Sequence, residues 1–336
     1  MMDKRLEQQI IFLENAGWAS SKIELLAADA SFRSYHRVKL NDRLAVLMDA
    51  PPPEEDIRPF ITIGKYLSQL GFSAPRIYAE DERRGFLLLE DLGDNTYTRV
   101  FATGGDEEML YELAIDTLIQ LHELSSATTV PADTAPYDLS RLMTEVALIA
   151  DWYLPAIGIS LSSDARSSFD TVWQSAFAQV ADKQETLVLR DYHVDNLMWL
   201  PHRTDTARCG LLDFQDALVG ARAYDLMSLI EDARRDVPTA RADKLIKRYL
   251  DACDDIDEQT LRQDIAILGA GRHAKVIGIF TRLAERDGKS QYLDHIQRVW
   301  GLLENSLQHP ALADVQSWFN AHVPKDQRII PSIKTV

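Results

Sequence analysis

The sequence predicts an α+β protein in two parts, a small and mostly antiparallel sheet followed by a large helical region. Three observations predict it. Short apolar runs bounded by turn residues fill positions 23–90. Longer segments with apolar residues at helical spacing fill most of positions 107–307. One pair of short apolar runs, at 197–200 and 209–212, interrupts the helices and reads as a hairpin.

Taken in order, residues 6–16 form a short amphipathic helix, and residues 23–27 and 35–40 are strands flanking a turn at 29–34. Residues 44–48 are a third strand, ended by Pro51-Pro52-Pro53, which fix φ and remove donors. Residues 58–70 are a helix with Phe60, Ile61, Ile63, Tyr66, Leu67 and Leu70 broadly on one face, stopped at Gly71. Residues 76–79 and 86–90 are strands joined by the charged segment 80–84, and residues 91–95 read as a hinge. Helices are then expected at 107–124, 139–151, 163–179, 225–232, 239–252, 258–268, 274–285 and 292–307. The tail after Pro324 is expected to be loosely ordered. The natural division is a first lobe of residues 1–92 and a second of residues 93–336.

The 336 residues suffice for a large core, and 46% hydrophobic with 26% charged residues is ordinary for a globular chain. The formal net charge of -16 argues against a broad nucleic-acid surface, which needs clustered cations. It does not argue against a nucleotide, since local cations and a bound metal can outweigh the global field. Cys209 and Cys253 suggest neither a disulfide framework nor a metal site. No apolar run is long enough to span a bilayer. The N-terminal residues lack the apolar stretch of a signal peptide, so a cytoplasmic location is expected.

The chemistry is concentrated in Arg190-Asp191-Tyr192-His193-Val194-Asp195-Asn196 and in Asp213-Phe214 downstream. The order R-D-x-x-x-x-N, then D-F, is that of a kinase catalytic loop followed by its metal-binding aspartate. Phosphoryl transfer needs a carboxylate to receive the proton of the attacking hydroxyl, a role that fits Asp191. It also needs hard oxygen ligands for Mg2+, a role that fits Asn196 and Asp213. The hairpin reading would place those two side by side. The competing reading is a polar loop whose Asp and Asn residues cap turns. His193 is assigned to packing and loop hydrogen bonds, and Asp225 to bonding the catalytic-loop backbone.

With Asp213-Phe214-Gln215-Asp216-Ala217 and Tyr224-Asp225-Leu226, this run resembles the aminoglycoside phosphotransferase and choline kinase superfamily. Four further stretches resemble, more closely, the bacterial anomeric kinases acting on N-acetylmuramate and N-acetylglucosamine. They are residues 29–35, 47–52, 85–93 and 278–289. The resemblance implies a two-lobed protein-kinase-like fold and ATP as co-substrate with Mg2+. It also implies transfer to the anomeric hydroxyl of an amino sugar, in cell-wall sugar recycling. An aminoglycoside or amino-alcohol phosphotransferase, or a weakly active nucleotide-binding regulator, stands as the alternative.

The nucleotide side is expected to use Ser31, Phe32 and Arg33 in the 29–34 turn, and the backbone from Glu90 to Leu92 at the hinge. One departure matters. The third strand of a kinase ends in a lysine for the α- and β-phosphates. Here that position is Met48, which has no charge, so Arg33 is expected to compensate. The acceptor side is expected to draw on Glu231, Asp232, Arg235 and Arg272.

Three motifs are set aside. Gly269-Ala270-Gly271-Arg272-His273-Ala274 fits a dinucleotide fingerprint but lies in helical, charged sequence without a βαβ frame. Gly288-Lys289-Ser290 lacks the earlier glycine of a phosphate loop, since Leu283 stands there. His122, on an apolar helix, reads as a core histidine.

Overall fold

A computed structural model of the chain describes residues 4–28 and 32–333. The chain divides into two compact units. One comprises Met1–Thr117 with Val194–Ala217, the other Leu118–His193 with Leu218–Val336. The fold is α+β, with a small antiparallel sheet and a large helical part.

The first unit is built on strands β1 (Lys22–Ala28), β2 (Ser34–Leu40), β3 (Arg43–Asp49), β4 (Ile77–Asp81) and β5 (Phe86–Glu90). They form one 5-stranded antiparallel sheet in the order β1-β2-β3-β5-β4. Alternation decides its faces. Ala45 and Leu47 of β3 point to a core shared with Phe86, Leu88, Val38 and the residues Phe12, Leu13 and Trp18. Phe12 and Leu13 come from helix α1 (Lys4–Asn15). Val46 and Met48 point the other way. Burying each large apolar side chain contributes about 1.5–3 kcal/mol, so this core fixes the register of β3. Gly85 closes the turn before β5 at φ 72°, and a Cβ there would lie 1.9 Å from the Ala50 carbonyl oxygen, so only glycine fits.

Helix α2 (Arg58–Gln69) follows the proline run, and short α3 (Tyr97–Ala102) precedes α4 (Glu107–Leu124). The hairpin β7 (Leu197–Trp199) and β8 (Cys209–Leu211) pairs Leu197 with Leu211 and belongs to this unit. The boundary expected between residues 92 and 93 therefore does not coincide with the division of contacts. The first unit includes α3, most of α4 and the later hairpin, a grouping that linear order does not reveal.

The second unit contains α5 (Leu139–Leu148), α6 (Leu154–Ala156), α7 (Ser163–Phe177) and the paired strands β6 (Thr186–Val188) and β9 (Leu218–Gly220). These are followed by α8 (Ala223–Ile230), α9 (Thr239–Ala252), α10 (Glu258–Asp287), α11 (Ile296–Ser306) and α12 (Ala313–His322). The two helices expected on either side of Gly269-Ala270-Gly271 are one continuous helix, α10. The glycines weaken a helix by about 1 kcal/mol each, but here they create close approaches. A Cβ on Gly271 would lie 2.7 Å from the Phe177 ring, and one on Gly269 2.6 Å from Glu231 Oε2. The tail expected to be loose is instead docked as far as Ile329. Arg328 is buried, donates to the Val323 carbonyl at 2.9 Å and to Asn320 at 3.0 Å, and Tyr153 donates to the Ile329 carbonyl at 2.8 Å.

Candidate active site

In the first unit the hairpin sets Asn196 immediately before β7 and Asp213 two residues after β8. The amide of Leu212 donates to the Asn196 carbonyl at 3.0 Å, which locks the two ends together. Asn196 Nδ2 then lies 3.4 Å from Asp213 Oδ2. Asp213 adopts φ 57°, a left-handed conformation that costs a non-glycine residue energy. Gln215 donates to its Oδ1 at 2.8 Å, and the next ring, Phe214, is fully buried 4.8 Å from Phe60. The strained turn is thus over-determined by its surroundings.

Beside this pair lies a cavity of about 360 Å³ walled by Tyr35, Val46, Leu89, Met198 and Leu212, with Glu90 to Gly93 along one side. Apolar walls with one run of hinge backbone suit a flat heteroaromatic ring. The hinge is tied down by charge. Arg37 donates to Asp91 at 2.7 and 3.1 Å and to Asp94 at 3.0 and 3.1 Å. Arg203 donates to Glu90 Oε1 at 2.7 Å. Neither arginine stands out in the sequence, because each partner is far away along the chain.

Of the expected phosphate-side residues, Ser31 lies outside the described residues. Phe32 has an exposed side chain and donates its amide to Glu55 Oε1 at 3.1 Å. Arg33 lies between two carboxylates, 3.6 Å from Glu55 Oε2 and 3.8 Å from Asp213 Oδ1. Met48 is buried on the cavity-side face of β3. Arg33, immediately before β2, is thus a cation with Glu55 as its counter-ion. Asp195 accepts a hydrogen bond from Thr98 Oγ1.

In the second unit Asp191 follows Arg190, whose φ of 71° is again left-handed. Asp225, at the start of α8, explains how that turn is held. Its two oxygens accept from the amides of Leu189 at 2.6 Å and Arg190 at 2.9 Å, and Ser228 Oγ lies 3.3 Å from the Arg190 carbonyl. Burial pushes the Asp225 carboxyl up to about 7 against the pull of those two amides.

Asp191 has the opposite fate. Burial opposes its ionisation, but Lys275, Arg272, His193 and Arg190 together hold the carboxyl below its usual range. Arg272 Nη2 is 3.9 Å from Asp191 Oδ1. Glu145, on α5, accepts from Arg190 and from Tyr137, and lies 3.0 Å from Lys275. The Tyr224 hydroxyl is 3.2 Å from that of Tyr137. Glu145, Lys275 and Tyr137 escaped the sequence reading. Their only signal is polarity: Glu145 in an apolar helix, and Lys275 three residues after Arg272.

Of the four expected acceptor-side residues, Arg272 stands beside Asp191. Asp232 is buried and accepts from the Arg234 amide at 2.8 Å. Arg235 is half-buried just beyond α8. Glu231 turns toward His273 at 3.4 Å and lines a different cavity, of about 630 Å³, with Ile246, Arg262, Ser306 and His309. Burial pushes Glu231 up to about 8. His193 is buried, with Nε2 3.4 Å from Arg234, and His122 is a core histidine against the Tyr249 hydroxyl at 2.7 Å. The set-aside glycine motif lies inside α10.

A loop aspartate held by a buried second aspartate, and an Asn–Asp pair on a hairpin, are each parts that phosphoryl transfer uses. The sequence matches the phosphotransferase enzyme family over residues 22–262, and the chain belongs to that family. Among its relatives is the N-acetylmuramate/N-acetylglucosamine kinase of Caulobacter vibrioides, 33% identical over 98% of this chain and 99% of the relative. The kinase of that name from Pseudomonas aeruginosa is 37% identical over 89% of each. Solved structures share the fold. A choline kinase from Streptococcus pneumoniae superposes with a TM-score of 0.62 at 13% identity, covering 89% of this chain and 99% of the other. An ADP-bound aminoglycoside phosphotransferase gives 0.59 at 15%, covering 90% and 97%. Among the described residues no helix is long and apolar enough to cross a membrane.

Proposed function

We propose that this enzyme transfers the γ-phosphoryl group of ATP to the anomeric hydroxyl of N-acetylmuramate and N-acetylglucosamine. The product is the sugar 1-phosphate, formed in the cytoplasm during reuse of cell-wall sugars. The observation that carries the choice of acceptor is the charge around Asp191. Aminoglycosides and amino alcohols are cations and call for a carboxylate-rich site. Here Lys275, Arg272 and Arg190 surround Asp191 and Glu145. That balance suits a neutral or acidic sugar, as the relatives' names also indicate.

In this reading the sugar oxygen attacks the γ-phosphorus, the bond from that phosphorus to the β-bridging oxygen breaks, and ADP leaves. Asp191 receives the hydroxyl proton. Its lowered pKa keeps it ionised at neutral pH, which suffices because the loose transition state of phosphoryl transfer needs orientation more than a strong base. Arg33 supplies charge to the phosphates in place of the strand lysine. Ser31 and the Phe32 backbone serve the phosphate loop, and the backbone of Glu90 and Leu92 faces the adenine edge. Asp232 and Arg235 complete the acceptor side with Arg272, and Glu231, turned toward His273 in the other cavity, is not part of it.

The donor set fits a magnesium ion. Asn196 and Asp213 offer two hard oxygens. Among the described residues no three His, Cys, Asp or Glu cluster as a resident metal site. Magnesium is usually held by one or two carboxylates and the substrate phosphates. When bound it would neutralise phosphate charge, with Asn196 and Asp213 as its protein ligands.

The test is ATP turnover against a panel of sugars, aminoglycosides and choline, with phosphorus NMR of the product. An acid-labile glycosyl phosphate from both N-acetyl sugars is expected. A 6-phosphate, or turnover with aminoglycosides alone, overturns the acceptor assignment.

A further inference from the structure

Resting on the acceptor reading above, we infer that Lys275 is a specificity-determining residue. Its ammonium receives the lactyl carboxylate that N-acetylmuramate has and N-acetylglucosamine lacks. The inference starts from a mismatch of charges. Arg190 Nη2 and Lys275 Nζ both meet the same oxygen, Glu145 Oε1, while Tyr137 donates to Oε2. One carboxylate therefore faces two cations. Arg272, on the same helix, lies between Asp191 at 3.9 Å and the field of Asp232. Among the neighbouring charged groups, Asp232 faces Arg272 and accepts from the Arg234 amide. Asp225 is tied to two backbone amides, and Arg234 stands by His193. Arg272 meets Asp191, whereas Arg190 and Lys275 divide the single carboxylate of Glu145.

Position and chemistry favour Lys275 over its neighbours as the receiver. Lys275 and Arg272 are three residues apart on α10, so they share a face of the helix. Arg272 on that face reaches Asp191 at 3.9 Å, so Lys275 stands on the same side of α10 as the carboxylate that meets the acceptor hydroxyl. Arg272 is enclosed, with Nη1 buried. Arg190 bonds Glu145 and its guanidinium lies 5.6 Å from the Tyr137 ring. A lysine ammonium carries three donors on a flexible stem, so one bond to Glu145 does not exhaust it. A charge-assisted bond to a ligand carboxylate is roughly twice as strong as a neutral one.

The prediction concerns a ratio. In Lys275→Met, kcat/KM for N-acetylmuramate divided by that for N-acetylglucosamine should fall by roughly 10-fold. Lys275→Arg should restore most of that ratio. Equal losses on both sugars, or no change in the ratio, would overturn the inference. The unmodified enzyme gives an independent measurement that does not depend on a variant folding. The methyl ester of N-acetylmuramate should be a poorer substrate than the acid by a similar factor, and an ester as good as the acid overturns the inference. Failure of the unmodified enzyme to phosphorylate either sugar would instead refute the acceptor assignment itself.

Discussion

The loop at Asp191 and the turn at Asp213 solve one problem in two ways. Each places a carboxylate through a left-handed residue. At Asp213 the strained residue is the proposed ligand itself, at φ 57°, steadied by Gln215 and by buried Phe214. At Asp191 the strain sits one residue earlier, on Arg190 at φ 71°, and buried Asp225 holds it through two amides. Their electrostatic settings differ more. The Asn196 and Gln215 amides lie beside Asp213, with the Arg33 guanidinium at 3.8 Å. Asp191 is matched by several cations. Asp225, bonded to the backbone of the same loop, is pushed toward neutrality by burial. Residue type alone sets none of these outcomes. Burial and neighbours do.

The largest effect is expected from breaking the Asp191 side. Asp191→Asn keeps the shape and removes the proton acceptor, so turnover should fall by roughly 10²–10⁴-fold while nucleotide affinity changes little. Rapid-quench turnover with nucleotide titration measures both. Near-normal turnover would move the base elsewhere.

Breaking the Asp213 side should alter metal dependence instead. Asp213→Ala should reduce turnover by roughly 100-fold and raise the magnesium requirement at fixed ATP. Asn196→Ala should do the same more weakly, because it removes a dipole and not a charge. An unchanged magnesium requirement for the Asp213 variant would sink the assignment.

The link between Arg33 and the missing lysine should give a smaller effect. Arg33→Ala should raise the apparent ATP constant and lower turnover, together by roughly 10-fold. Met48→Lys should not improve activity, since the counter-ion Glu55 is arranged for Arg33. A fully active Arg33 variant would leave magnesium as the source of the phosphate charge.

The smallest effect concerns Glu231, and it is read in stability. Its pKa rises from 4.5 to about 8 on folding. The folded state therefore binds the extra proton more tightly. Its contribution is fully present below pH 4.5 and is lost as pH rises toward 8. Glu231→Gln cannot ionise, so its stability relative to the unmodified chain should improve progressively across that window. Denaturant melts at several pH values test it, and a pH-independent difference would show that Glu231 ionises in the ordinary range.

The sequence by itself determined the fold class, the five strands of the sheet in chain order and the hairpin that joins Asn196 to Asp213. Those features rest on local periodicity and on residues close in sequence. It also marked Met48 as a departure from the lysine of a kinase strand, because charge type is legible in one dimension. Only the tertiary structure decided that α10 runs unbroken through two glycines, since Phe177 and Glu231 need the space a side chain would fill. Only it docked the tail through Arg328, and only it brought Glu145 and Lys275 into the network around Arg190 and Asp191. Those partners lie tens of residues apart. Long-range ion pairs leave no periodic trace, because a charged residue on a helix reads as solvated until a second helix is packed against it.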